Sequence, residues 1–293
     1  MSDARMVVPD PEEFFPTVST DYVDIHGVLD SVLKLVDPTS DVPPGNVLLS
    51  SIHGLGKSLL CANVAVRLGE KLGKKVPYIP FDCSEDTRDY HLRGSFSLMP
   101  DGGTAFIPGP FPLVIELANR IGVAILCLEE ISALTPGAQK QCNCLTDWRT
   151  GVYVPQLGRN VALKPGCKII VMASMNPSGY AGVYSLNEDL RSRFDEVVIP
   201  LPNIEQEKTI LKMVCPFADA GTIEKAARLA KESRTNATEY KLSTRDLVKL
   251  LYNLRRLNDP KVALTLVANK YENEAEKALI VDRIKAVFQV QVS

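Results

Sequence analysis

Residues 51–58 read Ser-Ile-His-Gly-Leu-Gly-Lys-Ser, SIHGLGKS, between an apolar run (Val47, Leu48, Leu49) and a helical pattern (Leu59, Leu60, Ala62, Val64, Ala65). Strand, glycine-bearing turn, then helix is the context in which G-x-x-x-x-G-K-[ST] holds phosphate. Backbone N–H groups of such a loop point inward, and the helix N-terminus adds partial positive charge. Lys57 is placed to reach the β- and γ-phosphates of ATP, and the Ser58 hydroxyl to hold Mg²⁺. His53, Gly54, Leu55, Gly56 and Leu59 complete the loop and its exit. Ser51 stands where the first glycine belongs. A small residue is tolerated there if its φ is negative or its side chain turns outward. The competing reading is an ordinary strand–turn–helix with a solvated lysine.

The chain has 293 residues, 45% hydrophobic and 23% charged, which is ordinary for a folded protein with a sizeable core. Its formal net charge is −2, which argues against a coat of basic charge for nucleic acid but not against a local patch. Seven cysteines form no C-x-x-C pair, and the three histidines are scattered, so reduced thiols are expected rather than zinc or disulfides. The spacing of Cys142 and Cys144 is a weak metal signal. No run of about 18 apolar residues is present, so no membrane span is expected. The opening MSDARMVVPDPEEFF is acidic and proline-bearing, unlike a signal peptide, so a cytosolic protein is expected.

Residues 1–20 read as a flexible or strap-like arm broken by Pro9, Pro11 and Pro16. Strands are expected at 46–50, 76–82, 123–128, 168–175 and 196–199, with helices at 25–36, 56–72, 113–120 and 138–148 between them. Alternating strands and helices imply a mostly parallel sheet covered on both faces. Two β-hairpins interrupt that order, at 94–111 around Pro100-Asp101-Gly102-Gly103 and at 152–163 around Gln156-Leu157-Gly158-Arg159. After Pro202 the pattern becomes helical, for example at 222–231, 243–256 and 271–290, with Ser243 as an N-cap. The expected organisation is an arm (1–20), an α/β core (21–202) and a helical domain (203–293).

Four further stretches bear chemistry. Ile125-Leu126-Cys127-Leu128 leads into Glu129-Glu130, two acids at the C-terminal end of a buried strand, the edge at which open α/β sheets bind ligands. Glu129 suits a metal shell and Glu130 an attacking water; two solvated acids are the alternative. Asn176 ends another apolar strand, where its amide can bond a γ-phosphate and water, although Asn-Pro also opens ordinary turns. Arg191 and Arg193 are read on a helix, as a solvated face or as groups reaching a neighbouring subunit, where such an arginine stabilises phosphoryl transfer. Arg245 follows Ser243-Thr244 at a helix start, poorly placed for the helix dipole unless an anion such as ATP lies nearby; a salt-bridged arginine is the alternative.

These five stretches, in this order, resemble the AAA+ ATPases, and among them the MoxR branch with its CbbQ/NorQ-type and dynein-related members. The most specific portions are residues 102–149, which include GGTAFIPGPF and AILCLEEIS, and residues 175–196, MNPSGYAGVYSLNEDLRSRFDE. The resemblance implies a P-loop core with a five-stranded parallel sheet, two inserted hairpins and a C-terminal helical lid. It implies that 51–58 is the Walker A loop and 126–130 the Walker B strand, with Glu130 as catalytic glutamate. It makes Asn176 sensor 1, Arg193 the arginine finger with Arg191 accessory, and Arg245 the sensor 2 arginine. It further implies Mg²⁺-ATP hydrolysis in a homo-oligomeric, six-membered ring that remodels a client protein, often beside a partner bearing a von Willebrand factor A domain. Ser51 for Gly and Glu129 for Asp depart from the family pattern, and both leave ATP binding more secure than hydrolysis.

Two other classes compete. A nucleic-acid motor is disfavoured because residues 94–111 carry one acid and no Lys or Arg, while 152–163 carry only Arg159. A scaffold that holds ATP without turnover is kept open by the two departures. Phe96, Phe106 and Phe111 are candidate client grips, with local packing as the alternative.

Overall fold

The computed structural model describes residues 6–18, 22–147, 149, 151–177, 184–235 and 238–292. Residues 1–5 and 19–20 of the expected arm, Trp148 at the end of an expected helix, and 178–183 of the stretch ending in SLNEDLRSRF lie outside them. The chain divides into two compact units, one of Met1–Ser51 with Gly56–Ile199, the other of Ile52–Leu55 with Pro200–Ser293.

In chain order the first unit contains α1 (Val28–Leu35), β1 (Val47–Ser50), α2 (Lys57–Leu72), β2 (Tyr78–Asp82), α3 (Asp89–Arg93), β3 (Gly94–Leu98), β4 (Thr104–Pro108) and α4 (Pro110–Ile121). It continues with β5 (Val123–Glu129), α5 (Pro136–Thr146), β6 (Gly151–Val154), β7 (Arg159–Ala162), β8 (Lys168–Met175), α6 (Glu188–Arg191) and β9 (Asp195–Val198). Five strands form a sheet in the order β2-β5-β8-β1-β9. Every neighbouring pair in it is parallel.

The strand sequences explain why both faces are covered. Along β5, Ala124, Leu126 and Leu128 join Leu48, Val171 and Ala173 in one apolar core. The alternate residues Val123, Ile125 and Cys127 join Val47, Leu49, Ile170 and Met172 in a second core. Successive side chains of a strand point to opposite faces, so an unbroken apolar run needs a cover on each. Helix α4 supplies Phe111, Val114, Ile115 and Leu117 to the first core. Helices α1 and α2 supply Val32, Leu60, Val64 and Leu68 to the second. Each fully buried side chain of this size contributes about 1.5–3 kcal/mol. Parallel strands share a direction, so β1, β5 and β8 deliver their C-terminal ends to one edge.

Strands β3 and β4 pair as the first hairpin, Phe96 opposite Phe106, and β6 and β7 as the second. Phe106 and Phe111 are fully buried, so of the three candidate grips only Phe96 is exposed. Packing, rather than client contact, accounts for the other two. The arm is a strap over its described length. Val7 N–H donates to the Phe106 carbonyl at 2.9 Å. Met6, Val8 and Phe14 pack against the first core.

The second unit contains α7 (Ile204–Val214), α8 (Ala220–Ser233), α9 (Thr244–Leu257), α10 (Pro260–Ala268) and α11 (Glu274–Phe288) around one apolar core. Helices α7 and α10 lie outside the helical patterns named from sequence at 222–231, 243–256 and 271–290. Their start signals are nevertheless present: Asn203 and Gln206 cap α7 reciprocally, and Asp259 caps α10 just before Pro260. Among the described residues no helix is long and apolar enough to cross a membrane.

Candidate functional site

The end of β8 organises the first unit's polar cluster. Lys57 Nζ donates to the Ser51 carbonyl at 2.8 Å, to Ser51 Oγ at 3.3 Å and to Asn176 Oδ1 at 2.9 Å. Ser51 N–H reaches the Met175 carbonyl at 3.4 Å. Loop, lysine and strand end therefore hold one another. The same contacts answer the question raised by Ser51. Its φ is not positive, and the residue is 4% exposed. The hydroxyl turns inward, toward Lys57, and needs no outward rotation. Gly56, by contrast, has φ 83° and caps α2 without a side-chain hydrogen bond. A residue with a Cβ is strained there, and a helix N-terminus is a place where backbone N–H groups and the helix dipole favour an anion.

The Ser58 hydroxyl donates to the Glu129 carboxylate, so the longer glutamate does reach from β5 to the start of α2. A hydroxyl and a carboxylate brought together here are hard oxygen donors of the kind Mg²⁺ takes. Glu130 follows with φ 54° and ψ 45°, the left-handed region. For a residue other than glycine that conformation costs on the order of 1–3 kcal/mol and persists only where neighbours impose it. Glu130 N–H donates to Ser174 Oγ at 3.3 Å, and its carbonyl accepts from Ala133 N–H at 2.7 Å. The kink takes Glu130 out of the strand and leaves it exposed, next after half-buried Glu129.

The two arginines sit differently. Helix α6 ends at Arg191, so Arg193 lies in the turn beyond it and not on the helix expected from sequence. Arg193 pairs with Asp189 at 3.1 Å and Asp147 at 3.6 Å, and Arg191 with Glu196 at 2.6 Å. Their carboxylate partners are therefore not Glu129 or Glu130. Asp147 is held below the usual carboxylate range, first by its hydrogen bond from Arg149, with Arg193 adding to the effect. The Arg193 Nε is buried without a hydrogen-bond partner among the described residues.

His53, Gly54 and Leu55 belong to the second unit. There the Gly54 carbonyl accepts from Arg245 N–H at 3.2 Å, and a Cβ on Gly54 would lie 2.9 Å from that of Arg245. His53 Nε2 lies 3.4 Å from the Tyr240 hydroxyl. Tyr240 donates to Asp246, which also pairs with Lys270. Burial alone raises Asp246, but Lys270 and Ser243 hold it below the usual range. The Arg245 side chain is exposed in the first turn of α9.

Two contributors escaped the sequence reading. Ser174 is 2% exposed and interrupts the apolar run that follows Lys168 in β8, a signal available in KIIVMASM. Tyr22 left no comparable signal. Its ring would meet a Cβ on Gly56 at 3.6 Å, and its N–H donates to Asn63 Oδ1 at 3.3 Å. Burial, then the charge of Asp24, pushes its phenol up to about 12. No group of three or more His, Cys, Asp or Glu suited to a metal occurs among the described residues.

No family model matches the chain. An uncharacterized protein of Staphylococcus haemolyticus strain JCSC1435 is 27% identical over 254 residues, covering 83% of this chain and 90% of that protein. One from Staphylococcus epidermidis strain ATCC 12228 is 25% identical over 254 residues with the same coverage, 83% and 90%. Among solved structures, the Thermotoga maritima RuvB Holliday junction branch migration motor aligns with TM-score 0.50 at 13% identity, covering 93% of this chain and 73% of that one. Its P216G mutant aligns with TM-score 0.51 at 13% identity, over 96% and 73%. With its five-stranded parallel sheet and helical C-terminal region, the chain carries the fold of these RuvB structures.

Proposed function

We propose that this protein is a Mg²⁺-dependent ATPase that works as a homo-oligomeric ring, six-membered in the simplest case, and remodels a client protein. One observation carries the reading. Lys57, Ser58, Glu129, Glu130 and Asn176 gather at the shared C-terminal edge of β1, β5 and β8, where Lys57 bonds Asn176, Ser58 bonds Glu129, and Glu130 bonds Ser174. That edge is where open α/β sheets bind ligands.

In this reading Lys57 and the start of α2 bind the phosphates, and Ser58 with Glu129 holds Mg²⁺. The ion neutralises phosphate charge during transfer. Glu130 orients the attacking water, and Asn176 ties that region to Lys57. Arg193, already aimed by Asp147 and Asp189, is assigned to the site of a neighbouring copy, with Arg191 behind it. Arg245 is assigned to sensing nucleotide. A client, reached in some cases through a von Willebrand factor A domain protein, is the partner that fits exposed Phe96, Leu98 and Tyr153 on hairpins with little charge.

The named RuvB structure is described as a branch migration motor, which supports a second reading, movement along DNA. The hairpins speak against it, since Arg159 is their only basic residue.

The test is steady-state ATP hydrolysis beside mass photometry, with and without Mg²⁺-ATP and with added DNA. Turnover that rises as rings assemble, unchanged by DNA, supports the first reading. DNA-stimulated turnover favours the second. Tight binding and assembly without turnover reduce the protein to a nucleotide-locked scaffold.

A further inference from the structure

We infer that Ser174 is a positioning residue for Glu130, setting the rate of ATP hydrolysis without contributing to ATP affinity. The inference rests on the assignment of Glu130 to the attacking water.

Three observations carry it. Glu130 occupies the left-handed region, which a glutamate does not adopt unless held. The side chain that holds its N–H is Ser174, whose hydroxyl oxygen accepts at 3.3 Å from the neighbouring strand. Strands β5 and β8 are in register at Leu128 and Ala173, so Ser174 stands beside the point where β5 leaves the sheet. Ser174 is also buried, which denies the Glu130 amide an easy replacement by solvent.

The last residues of β8 divide their work. Asn176 bonds Lys57, the Met175 carbonyl accepts from Ser51, and Ser174 holds Glu130. Two of these contacts bear on the phosphate loop, and only Ser174 bears on the acid. Loss of the Ser174 hydroxyl frees the backbone of Glu130 to relax toward ordinary φ, carrying the carboxylate off its aim. Lys57, Ser58 and Glu129 keep their contacts, so nucleotide binding is spared.

The experiment measures kcat and KM for Mg²⁺-ATP, together with the Kd of a fluorescent ATP analogue, for Ser174→Ala, Ser174→Thr and Glu130→Gln in the full chain. Ser174→Ala is expected to lower kcat roughly tenfold, the effect of one hydrogen bond to a buried group, with Kd within twofold of the parent. Ser174→Thr keeps the hydroxyl and is expected to restore most of kcat, and Ser174→Ala added to Glu130→Gln is expected to cost nothing further. An unchanged kcat in Ser174→Ala, or an equal loss in Ser174→Thr, overturns the inference. So does a Kd that rises as much as kcat falls, because that marks general damage to the site. If Glu130→Gln turns over normally, the assignment of Glu130 fails first; if it is inactive while Ser174→Ala is normal, only the role of Ser174 fails.

Discussion

The polar groups of the two units are spent differently. In the second unit they close on one another. Glu207 and Arg234 are both buried and paired at 3.4 Å, and Arg234 also donates to the carbonyls of Pro202 and Leu242. Asp246 gathers Lys270, Tyr240 and Ser243. In the first unit Lys57, Ser58, Glu129, Glu130 and Asn176 meet at an open strand edge, with one backbone held in a costly conformation. Satisfied polar networks rigidify a fold. Strained backbone clusters at functional sites, and here it falls on one exposed acid, Glu130, next to half-buried Glu129. The difference separates polar groups that close on one another from polar groups gathered at an open strand edge.

Substitutions should split along that line. Lys57→Ala is expected to weaken ATP binding by at least about 100-fold, the loss of charge-assisted contacts to phosphate, while the midpoint of thermal unfolding without nucleotide moves by only a few degrees. Isothermal titration and a melt read both quantities, and a collapsed fold with affinity retained would reverse the comparison. Glu130→Gln is expected to lower kcat by about 10²–10⁴, the usual contribution of a positioned acid or base, and to leave ATP bound in assembled rings on mass photometry.

Arg234→Ala is expected to destabilise the protein by about 3–5 kcal/mol, because Glu207 is left as an unpaired buried charge. Denaturant unfolding measures it, and a loss below about 1 kcal/mol would place the pair among ordinary surface bridges. The pH dependence follows the same logic for Asp246. Its folded pKa lies below the unfolded value, so its contribution is present above the unfolded pKa of an aspartate and is lost as pH falls through the folded one. Asp246→Asn should therefore flatten the acid limb of stability, with little change near pH 7 in its slope. The smallest effect is expected at Ser51. Ser51→Gly keeps the 2.8 Å carbonyl contact and loses only the 3.3 Å hydroxyl contact, so ATP affinity should fall roughly threefold or less. A tenfold gain in turnover would instead make the serine a brake on hydrolysis.

Much of the fold was legible because it is written in local periodicity. The unbroken apolar run of β5 demanded a sheet covered on both faces, and the strand–turn–helix around SIHGLGKS placed the loop. Capping made more available than was used, since Asn203 with Gln206 and Asp259 with Pro260 mark the starts of α7 and α10. Lys57, Glu129, Glu130 and Asn176 were nameable because each stands at or just beyond a strand end, and Arg191, Arg193 and Arg245 because each stands out in a helical pattern. Their mutual geometry was not. That Lys57 bonds Asn176, 119 positions away, depends on β8 lying beside β1.

By itself, then, the amino-acid order determined which segments are strands, which faces they bury, and where the glycine-bearing strand–turn–helix stands, since those properties repeat every two residues along a strand or lie within one turn of chain. Tertiary structure alone decided that Glu130 turns left-handed, that Ser174 holds it, that Ser51 faces Lys57, and that Phe106 and Phe111 are core. Those outcomes are set by which strand becomes whose neighbour. Strand order is a long-range pairing, and no local pattern of residues encodes it.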